Sequence, residues 1–485
     1  MKLKDIINEI DVIDTSGDLN VEINNICYDS RNIKEGDLFV CVKGFKVDGH
    51  KYIDSVIKKG AKALVVEDEV NLEGVTLVKV SNSRKAMARI GANFYGNPTN
   101  QMEVIGITGT NGKTTITYLI NSILDNKNVK SGIIGTICHK ILNREYKANN
   151  TTPEAFELQK MFKEMKNADV DVAIMEVSSH SIELNRVDSI NFSIGIFTNL
   201  TKDHLDYHED MNNYYEAKKK LFFMTNKANI INVDDPYGKK LVEELESTHI
   251  ETITYGIDNE CDIKAENMSI TPKGASFTLV TPKFSGEIKL NTPGKFSIYN
   301  GLAAASAAYI LGYSFKDIKE GLENNKGVSG RFEKVENSKG YNVIVDYSHT
   351  PDSLENALMT AKEFSKGKII TVFGCGGDRD RTKRPMMGNI AGKLSDYVVI
   401  TSDNPRSEEP NSILDHIEKG IIETNCEYKK IVDRKEGIRE AIKMAKKDDV
   451  VLIAGKGHET YQILGDKTID FDDRLVAKAI IEGEM

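Results

Sequence analysis

Short apolar runs recur along this chain and alternate with longer stretches whose apolar positions fall three and four apart. Four such runs lie at 102–107, 172–177, 193–198 and 229–233, with amphipathic segments between them. That alternation predicts parallel strands covered by helices on both faces. A Thr-, Lys- and Gly-rich piece at 261–290 reads as more antiparallel, and 297–311 as the helix that closes this unit. From about 334 the alternation resumes. Strands are expected at 341–346, 368–373, 397–401 and 449–454, with helices starting near 351, 385, 411 and 434. The first hundred residues carry shorter runs at 36–42 and 63–66 and a helical segment at 84–95, and Asn97-Pro98-Thr99-Asn100 reads as a linker. The expectation is an α/β chain of three domains. A small mixed α/β domain spans 1–100, a doubly wound parallel-sheet domain of P-loop ATPase type 101–333, and a Rossmann-like domain 334–485.

Length supports the division, since 485 residues exceed what one core accommodates. With 40% hydrophobic and 28% charged residues the composition is that of an ordinary globular protein. No apolar run is long enough to cross a bilayer, and Met1-Lys2-Leu3-Lys4-Asp5 opens no signal-peptide core, so a cytoplasmic location without membrane partners is expected. A net charge of −9 with no long basic block argues against nucleic acid as a partner. Cysteines 27, 41, 138, 261, 375 and 426 form no C-x-x-C pair, so reduced, mostly buried thiols are expected, and any metal should be Mg²⁺ on oxygen ligands.

The run at 102–107 leads into Thr108-Gly109-Thr110-Asn111-Gly112-Lys113-Thr114-Thr115, and a helical segment follows. Two glycines let the backbone approach a phosphate, the helix start offers free N–H groups, Lys113 reaches the terminal phosphates, and Thr114 can hold Mg²⁺. The generic spacing would place glycine at 107, where this chain has Ile107, so the loop is a P-loop of a particular kind. The next strand ends at Glu176, which is placed either to share Mg²⁺ with Thr114 or to pair with a nearby lysine. Asn199 through His208 follow a third strand, and there His204 could complete an oxygen shell or stand solvated. In the last unit three loops follow strand ends: Gly374-Cys375-Gly376-Gly377-Asp378-Arg379, Asp403-Asn404-Pro405-Arg406 and Gly455-Lys456-Gly457-His458-Glu459. Arg379 and Arg406 offer planar forks for a carboxylate, while Glu459 and Asn404 can receive an ammonium. Charges of both signs suit a zwitterionic amino-acid head. Ordinary surface ion pairs would account for any one loop alone.

These motifs, with Ser329-Gly330-Arg331-Phe332-Glu333 and Asp346-Tyr347-Ser348-His349-Thr350-Pro351-Asp352, resemble the Mur ligases over essentially the whole chain. Ser348 departs from the alanine common at its position. The resemblance implies an ATP-dependent amide ligase of peptidoglycan precursor synthesis that works through an acyl phosphate; a monomer is expected. It implies ATP contacts at Gly109, Thr110, Asn111, Gly112, Lys113, Thr114, Thr115, Asn300, Arg331 and Asp346. The UDP-MurNAc-L-Ala-D-Glu substrate would be held at Ser30, Phe45, Lys46, Thr151, Thr152, Ser178 and Arg186. Mg²⁺ would take Thr114, Glu176, His204 and Lys218, the last as a carbamate formed with CO₂. Lys113, Lys218, His204 and Glu176 would form the catalytic set.

Asp403-Asn404-Pro405-Arg406 resembles the loop of the members that add meso-2,6-diaminopimelate, which is lysine with a second carboxylate on its far carbon. Such a site needs a cation at that end. Arg406 and Arg379 supply it, and Glu459 and the Gly455 carbonyl would hold the far ammonium. Asp403, Asn404 and Pro405 complete the implied amino-acid site. Lysine-adding members and the related folylpolyglutamate synthases remain alternatives. So does a P-loop regulator that ligates nothing.

Overall fold

The structure, a computed structural model, describes residues 1–44 and 47–484, the side chain of Asp206 excepted. The architecture is α/β. An eleven-stranded sheet runs in the order Ser285–Leu290, Gly274–Val280, Ile263–Thr271, Glu251–Gly256, Thr225–Asn232, Phe192–Phe197, Glu103–Thr108, Val172–Glu176, Ser131–Ile134, Cys138–Ile141, Arg144–Lys147. Its seven middle strands are parallel, and antiparallel hairpins extend both edges. The antiparallel piece expected at 261–290 therefore continues the sheet rather than interrupting it.

Alternation along strand Glu103–Thr108 shows why both faces are covered. Val104 enters one apolar core with Phe162 and Phe192, while Ile105 and Ile107 enter the other with Ile116, Ile120 and Ile298. Helix Lys295–Ile310 is buried on nearly every side, as expected of a helix with little polar face.

Residues before this sheet form a five-stranded sheet in the order Val12–Ser16, Thr76–Val80, Ala63–Val66, Leu38–Val40, Ile26–Cys27. Its core takes in Ala155 and Phe156 from helix Ala155–Asn167, and Tyr28 donates to Glu157 Oε1 at 2.6 Å. After it comes a six-stranded sheet in the order Glu333–Val335, Asn342–Asp346, Val450–Ala454, Ile369–Phe373, Tyr397–Ile400, Glu427–Lys430. Helices Pro351–Phe364, Lys383–Leu394, Pro410–Ile421 and Arg434–Met444 alternate with its strands.

Asn97-Pro98-Thr99-Asn100, expected as a linker, is an ordered connection in which Pro98–Gln101 is a 3₁₀ turn entered through Asn97 at φ 49°. Thr99 is buried there and accepts from Asn191 N at 3.2 Å. Four central strands also escaped the apolar pattern. Ser131–Ile134 is only four residues long, Arg144–Lys147 is exposed throughout, Cys138–Ile141 carries His139 and Lys140, and Glu251–Gly256 is interrupted by threonines. The six thiols are free, and four of them are buried. Among the described residues no helix is long and apolar enough to cross a membrane.

Candidate active site

Strand Glu103–Thr108 lies between Val172–Glu176 and Phe192–Phe197, all parallel, so three strand ends release their loops side by side. Such a carboxyl edge is where a doubly wound sheet collects ligands. Gly109 has φ 146°, and a Cβ there would stand 1.9 Å from Thr198 Oγ1. Gly112 has φ 91°, and its Cβ would stand 2.6 Å from Asn300 Oδ1. Only glycine fits either position. The loop is stitched to the neighbouring strand end: Thr110 N donates to Asn199 O at 2.9 Å, and Asn111 N to Asn199 Oδ1 at 2.9 Å. Lys113 then opens helix Lys113–Asn126, its Nζ donating to the carbonyls of Gly109 and Thr110 at 2.9 Å each. Thr115, on the same first turn, is half-buried.

Thr114 Oγ1 donates to Glu176 Oε2 at 3.0 Å. The Glu176 carboxylate also accepts from Thr136 N at 2.8 Å and Thr136 Oγ1 at 2.9 Å. Arg331 reaches in from the segment just before the last sheet, and its Nη2 donates to Thr114 Oγ1 at 3.0 Å. Its Nε is buried without a hydrogen-bond partner among the described residues. An orphaned donor beside a hydroxyl–carboxylate pair suits phosphate, and the hard oxygens of Thr114 and Glu176 suit Mg²⁺.

Lys218 lies in the last turn of helix Met211–Lys219 and is 1% exposed. Its Nζ donates to the same Gly109 carbonyl at 2.9 Å and lies 4.6 Å from the Tyr214 ring centre. Burial, and then the charge of Lys113, hold the Lys218 amine well below the usual lysine range. His204 stands at φ 55° with its Nε2 3.4 Å from Asp203 Oδ2, and its ring meets that of His180 edge-on at 5.0 Å.

Thr151, Thr152, Ser178 and Arg186 gather on the other side of Glu176. Thr136 and Thr151 hydroxyls are 3.1 Å apart, and Thr152 Oγ1 donates to Glu176 O at 2.8 Å. Ser178 N donates to Thr152 Oγ1 at 3.1 Å. Arg186 donates to Thr152 O at 2.9 Å and pairs with Glu154 at 2.6 Å. Ser30 follows strand Ile26–Cys27, and its carbonyl accepts from Lys59 Nζ at 2.8 Å. Phe45 and Lys46 lie outside the described residues.

In the last sheet, Asp346 accepts from Phe332 N at 2.6 Å and Ser348 N at 2.8 Å. The Asp403-Asn404-Pro405-Arg406 and Gly455–Glu459 loops meet through side chains. Asn404 Nδ2 donates to Glu459 Oε2 at 2.9 Å, and a Cβ on Gly455 would stand 2.7 Å from Asp403 Oδ2. Arg406 has φ 51°, and its Nη1 donates to Gly377 O at 2.7 Å. Pro405 O accepts from Glu408 N at 3.0 Å. Arg379 is exposed and donates to Asp378 O at 3.0 Å.

Sequence reasoning passed over several residues that hold these groups. Lys456 is wholly buried and donates to Glu459 Oε2 at 2.7 Å and Asn404 Oδ1 at 3.3 Å. Its place inside the Gly455–Glu459 motif was the available signal. Asp352, which accepts from Asn111 Nδ2 at 2.6 Å, likewise lay within a quoted motif. Thr136 carried none.

Three family models match the chain: "Mur ligase family, catalytic domain" over 22–95, "Mur ligase middle domain" over 107–308, and "Mur ligase, glutamate ligase domain" over 330–457. The chain is 52% identical, over 98% of its length and 99% of the relative's, to the UDP-N-acetylmuramoyl-L-alanyl-D-glutamate–2,6-diaminopimelate ligase of Clostridioides difficile strain 630. It is 50% identical, over 100% of its length and 98% of the relative's, to the Alkaliphilus metalliredigens protein of the same name. A solved structure of a ligase so named superposes with TM-score 0.72 at 29% identity, covering 100% of this chain and 99% of that one. The MurF ligase of Thermotoga maritima in complex with ADP shares the fold at TM-score 0.66 and 19% identity, with 96% and 100% covered.

Proposed function

Since the chain belongs to the Mur ligase family, we propose that it joins meso-2,6-diaminopimelate to the D-glutamate carboxylate of UDP-N-acetylmuramoyl-L-alanyl-D-glutamate, at the expense of ATP, in peptidoglycan precursor synthesis. The observation that carries the reading is the match along the whole chain to relatives of that name at about half identity. ATP would lie with its terminal phosphates on Gly109–Thr115 and the helix start. Lys113 would turn its ammonium from the loop carbonyls to the γ-phosphate. Arg331 would give its unpartnered Nε to a phosphate oxygen, with Asn300 and Asp346 nearer the nucleoside. Mg²⁺ bound to Thr114 and Glu176 would neutralise phosphate charge, His204 being a further ligand.

A substrate carboxylate oxygen attacks the γ-phosphorus, the bond to the β-phosphate oxygen breaks, and ADP leaves. The diaminopimelate amine, arriving neutral, attacks the carbonyl carbon of the acyl phosphate. Phosphate departs and takes up the proton that the nitrogen sheds. The chain's part is to position and to neutralise charge, which is where catalysis of phosphoryl transfer mainly resides.

Lys218 would work as a carbamate. A buried ammonium beside Lys113 is unfavourable, whereas the neutral amine that burial enforces can add CO₂ and become an anionic oxygen ligand. Thr151, Thr152, Ser178 and Arg186 would hold the muramoyl dipeptide, and Ser30 with Phe45 and Lys46 the uridine diphosphate. Arg406, with Arg379, would take the far carboxylate of diaminopimelate, while Glu459, Asn404 and the Gly455 carbonyl hold its ammonium.

The test is phosphate release with ATP and the UDP-linked dipeptide in the presence of either amino acid. Diaminopimelate should support turnover and L-lysine should be poor, because lysine leaves the Arg406 guanidinium without its partner. That loss is on the order of 2–5 kcal/mol. Equal rates would overturn the assignment.

A further inference from the structure

Beneath the loop that carries Arg406 lies a closed bracket of two charged residues. Arg384, in the first turn of helix Lys383–Leu394, has a wholly buried side chain. Its Nη1 and Nη2 donate to Glu408 Oε2 and Oε1 at 3.0 and 2.8 Å. Nη2 also donates to Gly376 O at 3.2 Å, and Nη1 lies 3.2 Å from His416 Nδ1 on helix Pro410–Ile421. Glu408 accepts from Asp378 N at 2.6 Å and meets Arg381 at 3.2 Å. One forked pair therefore fastens the glycine-rich loop at 374–381 and the loop at 403–408 to two helices.

Arg406 depends on that fastening. It stands at φ 51°, which a side-chain-bearing residue adopts only when its surroundings impose it. Its guanidinium donates to Gly377 O, one peptide on from the Gly376 carbonyl that Arg384 holds. Gly377 N in turn donates to Asn404 O at 2.9 Å. A carbonyl that moved would take the Arg406 fork with it. As a stabiliser a buried ion pair does no better than apolar residues of the same size, whereas a forked pair fixes direction.

We propose that Arg384 and Glu408 are positioning residues that aim Arg406 at the far carboxylate of the incoming amino acid, and so set the preference for diaminopimelate over lysine. This rests on the diaminopimelate-adding reading above. The experiment measures, for the full-length enzyme, the KM for diaminopimelate, the inhibition constant of L-lysine against it, and the KM for ATP. The variants are Glu408→Gln, Arg384→Met and the double change Arg384→Met with Glu408→Leu. Glu408→Gln keeps the shape, and the double variant leaves no charge of the pair unmatched, so these two decide if Arg384→Met fails to fold.

The KM for diaminopimelate should rise by about tenfold or more while the lysine constant and the KM for ATP stay within about twofold. An unchanged diaminopimelate KM in a folded variant, or a parallel rise of all three constants, overturns the proposal. A wild-type enzyme that binds lysine as tightly as diaminopimelate removes the underlying reading, and the proposal with it. Wild-type preference with unaffected variants removes the proposal alone.

Discussion

Lys218, Lys219 and Lys220 follow one another in sequence and occupy three different environments. Lys218 is 1% exposed against the Gly109 carbonyl, Lys219 pairs with Glu216 and Glu244, and Lys220 reaches out to Glu183. Successive helical residues point about 100° apart, so a run of like charges need not share a face. A basic run reads from sequence as a solvated surface, and only packing shows that its first member is enclosed beside the phosphate loop. Removing that amine removes the proposed carbamate and its oxygens. Lys218→Ala should therefore lower kcat on the order of 100-fold or more, comparable to losing one preorganised charge-stabilising group. A short carboxylic acid at high concentration should restore part of it by supplying an oxyanion. Full activity in the unrescued variant would return Lys218 to a packing role.

Elements here are joined by shared carboxylate acceptors as well as by apolar contact. Asp234, two residues beyond strand Thr225–Asn232, accepts from the backbone N–H of Ile257, Asp258 and Asn259, from Asn259 Nδ2, and from Tyr299 on helix Lys295–Ile310. Burial alone would raise its pKa, but the donors outweigh burial and hold the carboxyl at about 2 against an ordinary 3.8. A depressed carboxyl contributes stability that is present above its unfolded value and lost as pH falls through the folded one. The wild-type Tm should fall between about pH 4 and pH 2 more steeply than that of Asp234→Asn, which has no charge to lose there. Parallel Tm profiles would show that the carboxylate contributes nothing.

The sequence pattern could not reveal such a joint, because Asp234 carries no periodicity and its donors come from residues more than twenty positions away. The apolar runs that became Val172–Glu176 and Phe192–Phe197 were legible because strands buried on both faces must be apolar throughout. Hairpin Cys138–Ile141 with Arg144–Lys147 lies at the sheet edge, where polar residues are tolerated, and its pattern was lost. At the site, motif residues such as Lys113, Glu176 and Arg406 could be named because their chemistry is local. Thr136 and Arg384 act by holding other residues in place, and no pattern of their own marks them.

At the scale of the molecule, the loop proposed for the nucleotide and those proposed for the amino acid lie on different sheets, and the proposed chemistry requires them to meet. The segment 329–333 between them is tightly held. Gly330, at φ 68°, is so close to the 455–459 loop that a Cβ would stand 1.9 Å from His458 N. Gly330 N donates to Glu333 Oε2 at 2.6 Å, and Arg474 of the last helix reaches Ser329 and Glu333. Arg331 therefore packs against the last unit, its guanidinium 4.5 Å from the Tyr347 ring centre and that ring 4.9 Å from His458. Back across to the phosphate loop run the Arg331–Thr114 bond at 3.0 Å and the Asn111–Asp352 bond at 2.6 Å. ATP would engage Arg331 and Thr114 directly, whereas Asp352 meets the loop through the Asn111 side chain. A hydrogen bond to a carboxylate contributes about 1.5–3 kcal/mol, equivalent to roughly a ten- to hundredfold change in the ratio of closed to open forms. Asp352→Ala should then enlarge the radius of gyration of the ligand-free protein in small-angle X-ray scattering. Adding a non-hydrolysable ATP analogue with the UDP-linked dipeptide should bring it back to the wild-type value, since ligand contacts take over the closure. The KM for ATP should rise, because part of the binding energy goes into drawing the sheets together. An unchanged ligand-free radius would mean that the Asn111–Asp352 bond follows closure and does not maintain it.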